Sequence, residues 1–522
     1  MFKRYLILIS FLGLYLYNVN SQNTFYSNTN NFPSESENYF MHTVERGQTV
    51  YSISKMYGVS IESIYKLNLG SEQGIQSESQ LKIPQSKQDK IIFHTIEPKE
   101  TLYSVSKKYN IKGEDLIEAN PGLSIQTFII GRTIRIPLDS VKSSLDSVKE
   151  DYTNSLLFQT PEVNKVNFIN VAMLLPFGVK EKTNPANLQF KVVEYYEGFL
   201  LALDSLKKQG ISVHLQVMDI GNDTKFLKQI LQADDLKQSN LIIGGFSDEQ
   251  IILLSDFSNQ HRIPYIVPFA SKCDEILKNP YLFQIYTPAG YLYTKASKAF
   301  LNKYRNYNII FLQEDNADKA DFIQILKNDL TSENITYQTI AYSPKFASDL
   351  QAVLNIGKRN VLIPYSEKQE SLTRILPGLV SISQKPEYNL SLFGYPKWQT
   401  YDLGELTENL YNLNTTIYTN FYIKQNAPET RNFYRKFFRW YSRPVNNSYP
   451  KFSVWGFDTG MYFIQLINQF GTFFESNVNN LKYEGIQTNF YYQRVSNWGG
   501  FVNANVFFVN FNPDSSVTRE TR

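Results

Sequence analysis

Apolar positions along this chain follow three successive patterns. The first is a run, YLILISFLGLYLY, behind the basic start MFKR. It is too short and wrongly flanked for a stable membrane span, and NVNSQ places Val19 and Ser21 three and one residues before a cleavage point. Residues 1–21 are therefore expected to be a secretory signal peptide and 22–40 a polar tail, with no transmembrane segment in the mature chain. No cysteine follows the run, which argues against a lipid anchor.

The second pattern begins where MHTVE alternates as a short strand and Gly47-Gln48 turns the chain. Thr49 is placed to cap a helix with Val50, Ile53 and Tyr57 on one face, and Gly58 supplies the left-handed stop. Ser60 caps a second helix with Ile61, Ile64 and Leu67 inward, ending at Asn68, and QLKIP closes the unit as a strand. This strand–helix–helix–strand unit is then written again. HTVERGQTVYSISKMYG from His42 and HTIEPKETLYSVSKKYN from His94 agree at nine of seventeen positions. The repeat predicts modules at 41–84 and 92–137, each near the lower size limit for an independent fold. In the second copy Thr101 is the cap, Asn110 the left-handed stop and TIRIP the closing strand. Leu138, Val141, Leu145 and Val148 then fall at a/d spacing over only two heptads, which reads as a short solvated helix or stiff tether within a linker at 138–165.

The third pattern starts at Phe168. INVAMLLPF, VHLQVMDI, NLIIGGF and IPYIVPFA read as buried strands separated by amphipathic helices, the first with Phe199, Leu200, Leu203 and Leu206 inward. The alternation restarts at YNIIFLQE and continues through NVLIPYS and YNLSLFGYP. Two such blocks predict two parallel-sheet lobes with a cleft between them, over 166–522. The expected fold class is α/β and α+β multidomain: two small βααβ modules followed by a bilobed parallel-sheet α/β domain.

Composition narrows the function classes. With 42% hydrophobic and 19% charged residues the chain is globular, and a net charge of +3 over 522 residues gives no electrostatic support for nucleic-acid binding. The single cysteine, Cys273, reads as a buried or loop thiol, and an exported chain of this size without internal disulfides points to a bacterial envelope. The four histidines are scattered, with no metal-ligand spacing, and no nucleophile elbow has a credible partner. Neither an enzyme, a cofactor nor a metal site is expected.

The two copies, with their aromatic-rich first helix, Asn68 or Asn120-Pro121 turn and final Leu-Lys-Ile-Pro or Ile-Arg-Ile-Pro, resemble LysM domains. That resemblance implies binding of N-acetylglucosamine-containing glycan, in bacteria the peptidoglycan strand. It places the groove between Gly47, Gln48, Thr49 and Val50 and the turn at Asn68 and Leu69 in the first copy. In the second, Lys99, Glu100, Thr101 and Leu102 face Asn120 and Pro121. The family's usual Asp is Gln48 or Glu100 here, and PKE replaces the turn glycine in the second copy. The other reading is that Thr49, Thr101, Asn68 and Asn120 are caps and turn residues alone. Two weak sites on one chain would gain by effective concentration on a repetitive polymer.

From AMLLPF to VWGFDTGMYFI the large domain resembles the type I periplasmic binding proteins of the branched-chain amino-acid class. The resemblance implies an amino acid or other small molecule held in the cleft by Ser247, Ala270, Ser271 and Lys272 from one lobe and Tyr365 and Tyr395 from the other. LFGYPKWQ offers Lys397 but no carboxylate for an α-amino group, which leaves open an alternative: a wall-tethered scaffold or activator whose bilobed domain binds an envelope protein. The expected protein is exported to the periplasm, associated with the cell wall and non-catalytic.

Overall fold

The computed structural model describes residues 39–85, 90–138, 150–158, 166, 168–178, 188–314 and 317–522. The expected signal peptide, nearly all of the expected tail, and the linker stretches 139–149 and 159–165 lie outside the described residues. So do Val141, Leu145 and Val148 of the a/d run.

Each module is built as the pattern requires. In the first, β1 (Tyr39–Thr43) pairs antiparallel with β2 (Gln80–Pro84), enclosing helices Val50–Tyr57 and Ile61–Leu67. In the second, β3 (Ile91–Thr95) pairs with β4 (Thr133–Pro137) around helices Leu102–Tyr109 and Gly113–Ala119. Thr49 and Thr101 start their helices through reciprocal capping boxes with Ser52 and Ser104, satisfying amides that the first turn leaves free. Gly58 and Asn110 end them in the left-handed region, at φ 68° and 54°.

The large domain is two lobes of seven strands each. The first sheet contains β5 (Ile169–Leu175), β6 (Val213–Asp219), β7 (Leu241–Gly244), β8 (Tyr265–Val267) and β9 (Leu282–Gln284). The second contains β10 (Asn308–Gln313), β11 (Tyr337–Ala341), β12 (Arg359–Pro364), β13 (Asn389–Gly394) and β14 (Thr415–Thr419). Both sets are parallel, in the doubly wound order β6-β5-β7-β8-β9 and β11-β10-β12-β13-β14. The remaining strands extend each sheet. The hairpin of β15 (Tyr492–Arg494) and β16 (Phe501–Asn503) joins β9, and β17 (Phe507–Phe511) and β18 (Val517–Thr521) join β14. The chain crosses between lobes three times: after β9, after β14, and between β16 and β17.

Helices on both sheet faces explain the near-continuous burial of strands such as Ile169–Leu175. The helix Leu188–Lys207 departs from its expected inward face: Leu201 and Ala202 are fully buried, whereas Leu200 and Leu203 are only half-buried. Leu201 joins a separate cluster with Phe433 and Phe437, so this helix is covered on a second side. It also lies very close to the helix Phe452–Phe470, where a Cβ on Gly198 would fall 1.7 Å from the Ser453 carbonyl and one on Gly456 would fall 1.9 Å from that of Tyr195.

The modules do not hang from the large domain. The described residues, from Tyr39 onward, pack as one unit. Phe40, Ile53 and Ile64 of the first module share a continuous apolar cluster with Ala172, Leu254 and Trp498 of the first lobe. The described part of the expected linker, helix Glu150–Ser155 and the turn Leu156–Phe158, folds back on the second module and buries Leu156 and Leu157 in its core.

Candidate functional site

The expected groove residues of the modules are largely spent on holding the modules together. Gln48 Oε1 accepts from His42 Nε2 at 2.7 Å and from the Glu45 amide at 2.9 Å, while Tyr57 donates to His42 Nδ1. Glu100, His94 and Tyr109 repeat the relay in the second module. Burial pushes the His42 imidazole down to about 4, against the pull of Gln48, and lowers His94 as well. Asn68 donates to the Ile64 and Lys82 carbonyls and accepts the Lys82 amide, tying helix to strand, and Asn120 does the same with Leu116 and Arg135. Val50 and Leu102 are core residues. Thr49, Leu69, Lys99 and Pro121 are the exposed members of the set.

Lys99 takes the left-handed turn, at φ 70°, that Gly47 takes at 85° in the first copy. Glu78 likewise occupies, at φ 71°, the turn made by Gly131, and both amides donate to the equivalent carbonyls of Val44 and Ile96. The missing glycines therefore leave the backbone path unchanged, and the side chains bear the strain.

Each module docks through one of its two groove loops. In the first, the Gly47 carbonyl lies against Gly290, where an added Cβ would sit 2.9 Å away, and a Cβ on Gly47 would meet the Tyr291 ring at 3.3 Å. Tyr51 donates to Asp274 Oδ2 at 2.6 Å and Lys272 Nζ stands 4.0 Å from the Tyr51 ring centre. In the second, the Gly122 amide donates to the Asn497 carbonyl at 2.7 Å, and Arg135 lies over the Trp498 ring at 4.8 Å. The modules also touch each other through stacked Phe40 and Phe93 and the Arg132–Glu45 pair at 3.4 Å.

Between the lobes lies a cavity of about 780 Å³, within the range of small-molecule sites. Its walls include Ser271 and Lys272 of the first lobe, Lys319, Glu367 and Lys397 of the second, and Gly47 to Thr49 of the first module. Of the six expected cleft residues, only Ser271 and Lys272 line it. Tyr395 is fully buried and donates to the Pro364 carbonyl, and Tyr365 turns aside to accept from Lys327 Nζ at 2.7 Å. Ser247 caps the helix Asp248–His261, with Gln250 returning the bond. The Ala270 carbonyl accepts from Gln284 Nε2 at 2.9 Å.

The expected lack of a carboxylate beside Lys397 is also corrected. Glu367, nearly buried, sits 3.2 Å from Lys397 Nζ and 2.7 Å from Lys319 Nζ, and its charge raises the Lys397 pKa. Glu367 follows Tyr365 by two residues, directly after the NVLIPYS run. Cys273 borders the cavity with its thiol pushed up to about 12 by burial. Among the described residues no group of three His, Cys, Asp or Glu side chains could hold a metal ion, and no helix is long and apolar enough to cross a membrane.

These features define a class: a bilobed, doubly wound α/β domain carrying two docked βααβ modules. Residues 42–84 and 94–137 each match the LysM domain family, so the chain contains two LysM domains. A 98-residue stretch, 19% of this chain and 22% of the other, is 33% identical to a putative sporulation-specific glycosylase, YdhD, of Bacillus subtilis. The match thus spans about a fifth of that relative. Solved structures similar to the large domain include a putative branched-chain amino acid ABC transporter from Rhodospirillum rubrum, at TM-score 0.45 and 12% identity over 68% of this chain and 96% of that one. A substrate-binding protein from Desulfitobacterium hafniense in complex with Leu scores 0.38 at 14% identity, over 67% and 99%. The bilobed assignment itself rests on this chain's own strand order and its three crossings.

Proposed function

We propose that this chain is an exported, non-catalytic, peptidoglycan-binding protein of the bacterial envelope. The LysM modules grip N-acetylglucosamine-containing glycan, and the bilobed domain binds a small molecule in its cleft. The observation that carries the reading is the pairing of two LysM domains with an interlobe cavity lined by both charges and by tyrosines. Closure of the lobes about the three crossings is the mechanism of capture. The scaffold alternative drew on a missing carboxylate, and Glu367 removes that ground.

Co-sedimentation of the full chain with purified peptidoglycan sacculi tests the glycan half. The protein is expected in the pellet and to be displaced by N-acetylglucosamine oligomers. A folded chain that stays in the supernatant would overturn the assignment.

A further inference from the structure

The cleft has three walls. A two-lobed domain needs only two, yet Gly47, Thr49, Tyr51 and Ser52 of the first LysM domain line the same cavity as Lys319 and Lys397 of the second lobe. The edge presented to the cavity is the β1-to-helix turn, the first half of the expected glycan groove. It is held there by the Tyr51–Asp274 bond and the close fit of Gly47 on Gly290.

The chemistry of the walls differs along the cavity. At the second-lobe end, Lys319 and Lys397 share Glu367, and Asp318 accepts the Glu367 amide at 3.0 Å, so two ammonium and two carboxylate groups stand together. Such a balanced cluster suits a ligand that itself carries both signs of charge. Thr287, Tyr418 and Asn420 also line the cavity, and Thr287 Oγ1, Tyr418 OH and Asn420 Nδ2 have no hydrogen-bond partner among the described residues, although each residue is at most 4% exposed. Buried polar atoms left unpaired cost about 1–3 kcal/mol each, and a polar ligand that pairs them recovers that cost. Tyr51 and Tyr291 at the module side, and Tyr286 and Tyr449 nearer Glu367, supply flat apolar faces with polar edges, which suit the rings of sugars.

We infer that the cavity is a composite site for a soluble peptidoglycan fragment, with the amino-sugar part against the first LysM domain and a short charged peptide against Lys319, Glu367 and Lys397. This rests on the proposed function and adds the ligand class. It also divides the labour of the modules: the first LysM domain serves the cleft, and the second, with Lys99 and Pro121 exposed, serves the polymer.

Titration calorimetry on the full chain tests this with three probes: an N-acetylglucosaminyl-N-acetylmuramyl tetrapeptide, the tetrapeptide alone, and the disaccharide alone. The complete fragment is expected to bind at least tenfold tighter than either part. Lys397→Ala and Tyr51→Ala should each weaken it about tenfold or more, with Tyr51→Phe, which keeps the ring, retaining more than Tyr51→Ala. Lys397→Ala, on the second lobe, should not change sedimentation with sacculi. Equal affinity for fragment and peptide, or for fragment and disaccharide, overturns the composite site. So does unchanged affinity in a folded Tyr51→Ala protein. If no probe binds while sacculi still retain the chain, this inference fails and the proposed glycan function stands; loss of sacculus binding by the wild-type chain sinks that function instead.

Discussion

Trp498 is the residue on which the docked arrangement turns. It sits in the β15–β16 hairpin loop at 1% exposure, 5.6 Å from the Phe93 ring of the second module and 6.1 Å from Tyr57 of the first, with Arg135 above it. Burial of ~200 Å² of indole at ~25 cal/mol/Å² contributes about 5 kcal/mol as an upper bound, and the cation–π contact adds about 1 kcal/mol. Truncation of a buried Trp to Ala costs about 3–5 kcal/mol in practice. Because the ring joins three bodies, Trp498→Ala should act mainly on docking.

A unit of this size unfolds with an entropy of about 1 kcal/mol/K, so a loss of ~4 kcal/mol lowers a single cooperative melt by about 4 °C. If docking fails first, calorimetry shows the modules melting ahead of the lobes. Amide exchange in the helices Val50–Tyr57 and Leu102–Tyr109 then accelerates by up to about a thousandfold. Trp440→Ala, at a site 47% exposed, is the control and should stay within about 0.5 kcal/mol of wild type. A Trp498→Ala protein that melts within a degree of wild type, with unchanged exchange in both helices, would refute the docked architecture and with it the three-walled cleft.

Three further outcomes are expected. Lys99→Gly should stabilise the second module by about 1 kcal/mol in denaturant titrations, since it relieves a left-handed φ of 70° at an exposed lysine; destabilisation would show that the side chain matters more than the backbone. Asp458, buried in the helix Phe452–Phe470, is raised to about 6 by burial, against donation from the Ile486, Gln487 and Thr488 amides. Between its ordinary pKa and about 6 the folded chain holds a proton that the unfolded chain releases, so this group's contribution falls by about 3 kcal/mol as pH rises through that window. The stability gap between wild type and Asp458→Asn should therefore narrow by that amount from pH 4 to 6.5, and parallel pH curves would contradict the burial argument. Cys273 should resist thiol reagents at pH 8 in the folded chain and react fully in denaturant; rapid labelling of the native protein would mean that the thiol is open to the cavity.

The elements were legible where local signals agree with one another. Two copies of Thr-x-x-Ser ahead of an apolar face, each ended by Gly58 or Asn110, specify the same helix twice. The apolar runs from Ile169 to Phe393 specify buried parallel strands because both faces of each sheet are covered. Side-chain direction at strand ends was less legible. Tyr395 follows β13 directly and continues its burial, and Tyr365 leaves β12 toward Lys327, whereas Glu367 comes round to Lys397. Docking left no local signal at all. Tyr51, Gly122, Gly290 and Trp498 are ordinary residues in sequence, and their roles come from partners between about 220 and 440 positions away.

Docking changes what two LysM domains on one chain can achieve. Tethered modules would gain affinity through effective concentration, set by linker length and largely indifferent to orientation. Docked modules have fixed positions, the first turned to the cleft and the second with Lys99 and Pro121 exposed, and the ordering entropy has already been met on folding. The first module touches lobe one at Asp274 and, through Gly47, the start of the helix Ala289–Tyr304, which packs into the core of lobe two, the lobe that also carries Lys319, Glu367 and Lys397. A ligand that touches both therefore favours one interlobe angle, and by linkage that angle favours the ligand by the same factor. On the composite-site reading, the cleft's affinity for a fragment and the seating of lobe two against the first LysM domain are a single equilibrium. Loosening the module at Trp498 should then weaken fragment binding from a distance, without touching any residue that lines the second-lobe wall.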